Sequence, residues 1–188
     1  MLHEFKKHLD LKFQNLLEAP FLLACSGGVD SVVLVHLCAE LQLDFSIAHC
    51  NFKLRGAASD ADEAFVKDVA IRLNKKYFSR TFDTIGYIHT QKVSLQVAAR
   101  ELRYAWFSKI LEENNITTVV TAHQTDDNLE TFLINLSRGT GIEGLTSIPE
   151  KTTAISRPLL PFSRDEILRY AQEHQLDWRE DESNKETK

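Results

Sequence analysis

The stretch Ala24-Cys25-Ser26-Gly27-Gly28-Val29-Asp30-Ser31 decides the fold. A short apolar run, Phe21-Leu22-Leu23, precedes it, and a longer one, Val32-Val33-Leu34-Val35-His36-Leu37-Cys38-Ala39, follows. That order predicts a buried strand, a glycine turn and a buried helix. Such a turn aims backbone N–H groups and a helix N-terminus at one point, which favours an anion, most commonly phosphate. Glycine serves twice here, by permitting unusual φ/ψ and by letting the backbone approach a ligand closely. Ser26 and Ser31 are expected to add hydroxyl donors at the mouth. Asp30 is the odd residue, because a carboxylate beside a phosphate is repelled unless a cation such as Mg²⁺ sits between them. The competing reading is an ordinary strand–helix turn, with Gly for geometry and Asp or Ser as a cap. The pattern is neither G-x-x-x-x-G-K-S/T, since no Lys follows the glycines, nor G-x-G-x-x-G.

The 188 residues suffice for one domain with a substantial core. Hydrophobic content of 43% and charged content of 26% are ordinary for a globular protein. A net charge of -5 argues against a strongly basic nucleic-acid binder, while leaving room for local basic patches. No apolar run approaches a membrane span and the N-terminus does not read as a signal peptide, so a cytoplasmic chain with no membrane partner is expected. Cys25, Cys38 and Cys50 form no C-x-x-C pair and read as reduced, buried filler.

Outward from the glycine turn, strands and helices alternate. Residues 1–18 read as one helix ended by Pro20, with Phe5, Leu9, Phe13, Leu16 and Leu17 near helical spacing. Residues 43–49 alternate as a strand, followed by a polar loop over 50–56. Ser59 with Asp62 three residues on predicts a capping box for a helix striped by Phe65, Val66, Val69 and Leu73. Residues 76–82 predict a third strand, 92–113 a long helix with Leu95, Ala98, Ala99, Leu102, Trp106 and Ile110 on one face, and 116–121 a fourth strand. Next, His123-Gln124-Thr125-Asp126-Asp127-Asn128-Leu129-Glu130 opens a helix whose stripe is Leu129, Phe132, Leu133 and Leu136. A glycine-rich loop over 138–145, a fifth strand within 154–159 and a helix capped by Ser163 complete the order, and the charged tail after Trp178 is expected to fray. This alternation predicts an α/β fold with a parallel sheet of about five strands, covered by helices on both faces. Ligands of such folds sit at the carboxyl ends of the strands. The polar clusters at 26–31, 49–55 and 123–130 each follow a predicted strand there, so they are expected to converge.

Asp126 and Asp127 at a helix N-terminus, together with Asp30, suit Mg²⁺ held partly by phosphate oxygens. Asp127 with Glu130 is equally a capping box. Arg100 and Arg103 share one flank of the long helix and suit fork-like binding of phosphate or carboxylate, or else a solvated flank. Lys53 and Arg55 are either surface charges or phosphate contacts, and His123 either touches a phosphate or is structural.

Ser26-Gly27-Gly28-Val29-Asp30-Ser31 resembles the S-G-G-x-D-S signature of PP-loop ATP pyrophosphatases, which cleave ATP between its α and β phosphates. The fuller set resembles the N-terminal catalytic domain of bacterial tRNA(Ile)-lysidine synthetases. The carrying segments are the glycine motif, residues 49–55, 99–107 and 122–131, the loop 138–145, Arg157-Pro158-Leu159-Leu160-Pro161 and Asp181-Glu182-Ser183-Asn184. Phe52 departs from the pattern, since many members have His there. The resemblance implies an adenine nucleotide alpha hydrolase-like fold over residues 1–188. It also implies ATP-dependent adenylylation of the wobble cytidine of tRNA(Ile) with anticodon CAU, followed by attack of the L-lysine ε-amine, forming lysidine and releasing AMP. By the same resemblance Ser26, Gly27, Gly28, Val29, Asp30 and Ser31 would bind ATP, with Asp30 and Asp127 on Mg²⁺. Asp127 would alternatively activate the amine. Glu130 and Arg103 would grip lysine, Arg100 and Arg55 would add substrate contacts, and His123 would help at the adenylate. Family members usually continue into tRNA-binding domains, so the chain is expected to be a catalytic fragment that recognises tRNA poorly; a homodimer is compatible with it. The rivals are another PP-loop enzyme, such as a tRNA thiolase, and a nucleotide-binding module without turnover.

Overall fold

The computed structural model describes residues 1–137 and 148–180. Strands β1 (Phe21–Ala24), β2 (Phe45–Asn51), β3 (Tyr77–Thr81), β4 (Val119–Val120) and β5 (Ile155–Ser156) form one sheet in the order β3-β2-β1-β4-β5. All four pairings are parallel, with Leu23 opposite both Ile47 and Val120. Helices α1 (Leu2–Lys12), α2 (Gln14–Glu18), α3 (Val29–Glu40), α4 (Ala57–Arg72), α5 (Thr84–Gln91), α6 (Leu95–Asn114), α7 (Thr125–Ser137) and α8 (Arg164–Glu173) fill the intervals.

Side-chain alternation along the strands divides the core between the two faces of the sheet. Phe21 and Leu23 of β1 join Ile47 and Val120 in one cluster with α1, α3, α4 and α8. Leu22 joins Ala48 and Val119 in the other, beneath Trp106, Phe107 and Ile110 of α6. Phe5, Leu9, Phe13, Leu34 and Leu37 are wholly excluded from solvent, and each such side chain stabilises the fold by about 2–3 kcal/mol relative to exposure. Chain order reverses between β1 and β4, so the crevice beyond their carboxyl ends is the topological switch point.

Several boundaries differ from the sequence reading. The first helix breaks at Phe13 (φ -130°, ψ 41°), whose side chain is buried. Helix α4 begins at Ala57 behind Gly56 rather than at a Ser59–Asp62 capping box. Ser59 Oγ accepts the Arg55 N–H instead, and Asp62 is drawn into ion pairs. The expected long helix over 92–113 is α6, shifted to Leu95–Asn114: Lys92 closes the preceding α5 in a left-handed conformation, and Ser94 caps α6 by accepting the Val97 N–H. Helix α5, capped by Asp83, has no counterpart in the sequence reading because it is short and only Thr84 of it is buried. Leu95, expected on the buried face of α6, is 40% exposed and borders the cleft described below.

The expected stripe of α7 is not buried: Leu129, Phe132, Leu133 and Leu136 are exposed, and no side chain of this helix is core. The helix is anchored instead at its start, where the Thr125 N–H donates to Phe162 O and the Thr125 hydroxyl to Leu160 O. The glycine-rich loop, the Asp181–Asn184 segment and most of the charged tail lie outside the described residues.

Candidate active site

The glycine turn is built from its own hydroxyls. Gly27 has φ +95°, a backbone region open to glycine and strained for other residues. The Ser31 hydroxyl donates to Gly28 O at 2.9 Å and accepts the Gly27 N–H at 3.2 Å. Ser31 is therefore buried inside the turn and not a donor at its mouth, which corrects the expectation for that residue. Ser26 is exposed, and its Oγ accepts the Gly28 N–H at 3.3 Å, a long bond that a phosphate oxygen can replace. Gly28 is the N-cap of α3 and no side chain caps that helix, so its first-turn amides face the crevice without a protein acceptor from a side chain. Val29 is core and contributes only its backbone.

His49 of β2 enters the turn from the side. It is buried, and its Nδ1–H donates to Cys25 O at 2.9 Å, which fixes the tautomer because a carbonyl only accepts. Burial lowers its pKa, holding the ring neutral, with the Cys25 carbonyl opposing. The sequence reading assigned His49 no role; its place on an alternating strand directly before the polar loop was the available signal.

Asp30 sits in the first turn of α3 with Oδ1 buried and without a hydrogen-bond partner. Burial raises its pKa; Arg164 opposes this, while Asp127 and Asp126 reinforce it. The Asp126 and Asp127 carboxylates thus reach Asp30 electrostatically. Asp127 Oδ2 accepts the Gln124 N–H at 2.9 Å, and Gln124 Oε1 accepts the Asp126 N–H at 2.7 Å. The start of α7 is thus capped by Gln124, with Asp127 reaching back to the Gln124 N–H, and not by Asp127–Glu130; buried Gln124 is the cap that the sequence reading missed. Asp126 Oδ2 accepts the Arg164 N–H at the start of α8. His123 is half-buried, with Nδ1 2.9 Å from Thr121 Oγ1. Its pKa is lowered by burial first and then by Arg157, against Asp127.

A cleft of about 670 Å³ opens over this region, within the usual range for small-molecule sites. Ser26, Gly28, Asp30, Ser31, Arg55, Arg103, His123 and Asp127 line it together, with His49, Phe52 and Asp62. Gly27, Val29, Arg100 and Glu130 are not among the lining residues. Glu130 is exposed on α7, and exposed Arg100 lies over the Tyr104 ring at 4.8 Å. Arg103 Cζ stands 5.4 Å from the Phe52 ring centroid, and Phe52 stacks on Phe82 at 5.4 Å. Cys50 also borders the cleft and is half-buried rather than fully buried filler; burial pushes its thiol up to about 12, with Arg103 beside it opposing. The cleft is bipolar, with carboxylates at the starts of α3 and α7 and a guanidinium on the α6 wall. Among the described residues no group of three or more His, Cys, Asp or Glu side chains could hold a metal ion by itself.

A parallel sheet with an uncapped glycine turn at its switch point, facing carboxylates from the next crossover, defines a nucleotide-binding domain of the PP-loop class. The chain belongs to the PP-loop domain family, whose profile matches residues 1–188. It is 47% identical over 167 residues to the tRNA(Ile)-lysidine synthase of Chlorobaculum tepidum, an alignment covering 87% of this chain and 50% of that protein. Identity to the tRNA(Ile)-lysidine synthase of Porphyromonas gingivalis is 45%, covering 89% of this chain and 37% of the relative. That of Bacteroides thetaiotaomicron is 42% identical, at 96% and 41% coverage. The chain thus spans half or less of the length of these relatives. Among solved structures, the U34-tRNA thiolase NcsA from Methanococcus maripaludis superposes with a TM-score of 0.72 at 18% identity, over 95% of this chain and 67% of that one. The NH3-dependent NAD synthetase from Campylobacter jejuni superposes at 0.64 and 17% identity, over 94% and 74%. These two likenesses establish the adenine nucleotide alpha hydrolase-like fold. Among the described residues no helix is long and apolar enough to cross a membrane.

Proposed function

We propose that the chain is the ATP-using catalytic domain of a tRNA(Ile)-lysidine synthase. In this reading ATP lies with its phosphates on the turn of residues 26–31 and the α3 N-terminus. The observation that carries it is the buried, unpartnered Oδ1 of Asp30, a residue that lines the same cleft as Asp127. A carboxylate left unsatisfied beside an anion site calls for a cation between the two. Asp30 and Asp127 would hold a magnesium ion, with phosphate oxygens completing its shell because the protein donors alone are too few. Bound there, it would neutralise charge growing on the departing pyrophosphate.

At the opposite wall, Arg103 carries no ion pair among the described residues and suits the carboxylate of L-lysine or a tRNA phosphate by fork geometry. His123, held neutral, suits a hydrogen bond to the adenylate. Asp127 would join the metal or take the proton from the attacking amine, and its place in the cleft lining supports either role. Arg55 in the cleft lining and Arg100 outside it are proposed contacts for the larger substrate, tRNA(Ile) with anticodon CAU, and Glu130, outside the cleft on α7, is the proposed partner of the lysine ammonium. A homodimer and a cytoplasmic setting accompany this reading.

The test supplies the protein with ATP, lysine and that tRNA, together and singly. AMP released only when all are present, with pyrophosphate needing ATP and the tRNA but not lysine, supports the proposal. Tight ATP binding with no AMP under any combination, both in this chain and in one extended to the full length of its relatives, would leave a nucleotide-binding module and refute it.

A further inference from the structure

Behind the glycine turn lies a buried carboxylate that the proposed reaction does not use. Asp62 of α4 is 7% exposed and receives two guanidiniums. Arg55 Nη2 donates to Oδ2 at 2.7 Å and Arg179 Nε to Oδ1 at 2.9 Å. A carboxylate this buried is costly unless both oxygens are satisfied, and two charge-assisted bonds do that. Arg55 belongs to the loop after β2, whereas Arg179 lies beyond α8, so Asp62 ties together segments remote in sequence.

Arg179 makes a second contact through its backbone. Its N–H donates to Gly27 O at 2.9 Å. Gly27 is the residue at φ +95°, and a Cβ there would meet Val66 Cγ2 at 3.4 Å and Arg179 Cγ at 3.6 Å. The turn is therefore packed from behind by α4 and by the Arg179 segment. A peptide carbonyl turned toward a phosphate repels it, whereas successive N–H groups attract it. The Arg179 N–H holds the Gly27 carbonyl on the outer side.

We infer that Arg179 and Asp62 are positioning residues for the glycine turn: Arg179 fixes the Gly27 carbonyl away from the cleft, and Asp62 fixes Arg179 while orienting Arg55 at the cleft wall. This rests on the reading of the turn as the nucleotide site. Arg179 is not among the residues lining the cleft, and Asp62, which borders it, has both carboxylate oxygens engaged by guanidiniums. The effect is preorganisation of amides, which lowers the cost of ordering the turn on binding.

Substitutions separate the two contacts. Arg179→Ala removes the bridge to Asp62 and keeps the N–H; Arg179→Pro removes both; Asp62→Asn removes the charge and keeps the shape. ATP affinity is measured by calorimetry, and amide hydrogen exchange is followed across residues 26–31 without nucleotide. Arg179→Ala and Asp62→Asn are expected to weaken ATP about five- to tenfold and Arg179→Pro about thirtyfold or more, with exchange at Gly27 and Gly28 accelerating in the same order. Arg179→Lys recovers part of the Ala loss, and melting stays cooperative. Unchanged affinity and unchanged exchange in folded Arg179→Pro overturn the inference; should that variant not fold, the same result in Arg179→Ala and Asp62→Asn does so. If the wild-type chain binds no ATP yet Arg179→Pro accelerates exchange at the turn, the positioning stands and the nucleotide reading falls.

Discussion

Asp127 ties down the start of the helix that it is proposed to arm: its Oδ2 accepts the Gln124 N–H at 2.9 Å. The two roles use one carboxylate but respond differently to substitution. Asparagine retains an oxygen acceptor for the Gln124 N–H and loses the charge. Asp127→Asn is expected to lower Tm by no more than about 2 °C, because cap exchange between Asp and Asn is nearly neutral. Release of AMP from ATP is expected to fall by about a hundredfold or more, since metal or base function needs the anion. Asp127→Ala loses the cap as well, at about 1 kcal/mol. Full turnover in the Asn variant, read by pyrophosphate release, would reduce Asp127 to a cap.

Asp30 carries the opposite signature. Its folded pKa is raised, chiefly by burial, so the fold favours the protonated acid. The stability linked to that preference is fully present below the unfolded value of 3.8 and is lost as pH rises through the folded value. At neutral pH the ionised group is a liability that a cation would relieve. Asp30→Asn is therefore expected to raise the melting temperature at pH 7 while abolishing ATP turnover, an exchange of stability for function. Magnesium with ATP should stabilise the wild type and leave the Asp30→Asn variant unmoved. A lower melting temperature in the variant would contradict the burial argument.

These two residues also mark how far the sequence could be read. The strand–turn–helix around Gly27 and Gly28 was legible because glycine, flanking apolar runs and a first-turn Asp all act locally. The sheet followed from alternation, and β1 fits it by sending Leu22 to one face and Leu23 to the other. What escaped depends on contacts between distant segments. Ser59 and Asp62 have capping-box spacing, yet Arg179 claims Asp62 from 117 residues away. Gln124 is an unusual cap by propensity and succeeds because it is buried at the switch point. The stripe on α7 has good helical period, but periodicity does not say whether a neighbour exists to cover it.

Acid should unfold the protein through its histidines. His8, His36, His49 and His123 all have lowered pKa values, with burial the first cause in each. A depressed folded value means stability that is present above the unfolded value of 6.5 and lost as pH falls through the folded values. Melting temperature should thus decline progressively from pH 7 toward pH 5. His49→Asn removes the titrating ring while still offering an amide N–H to Cys25 O, and should flatten part of that decline, at some loss of stability at pH 7 from lost ring packing. A melting temperature independent of pH over that interval would contradict the neutral assignment.

Phe52, the departure noted in the sequence, lines the cleft and works there as a shelf. One side of its ring stacks on Phe82 at 5.4 Å, while the Arg103 guanidinium stands 5.4 Å from its centroid. A guanidinium over an aromatic face gains about 0.5–1 kcal/mol at a partly exposed site and is held in one plane. That plane decides whether its two outward N–H groups meet a carboxylate squarely. Phe52→Leu keeps apolar bulk against Phe82 but removes the ring quadrupole. Its cost to stability should be small, about 1 kcal/mol, because the volume is nearly conserved. If Arg103 receives the lysine carboxylate, the same loss should appear as a two- to fivefold rise in KM for lysine, with KM for ATP unchanged. Arg103→Lys should be more severe than Phe52→Leu, since an ammonium offers no fork. Equal rises in both KM values would instead mean that Phe52 shapes the whole cleft, and an unmoved KM for lysine would place that substrate elsewhere than on Arg103.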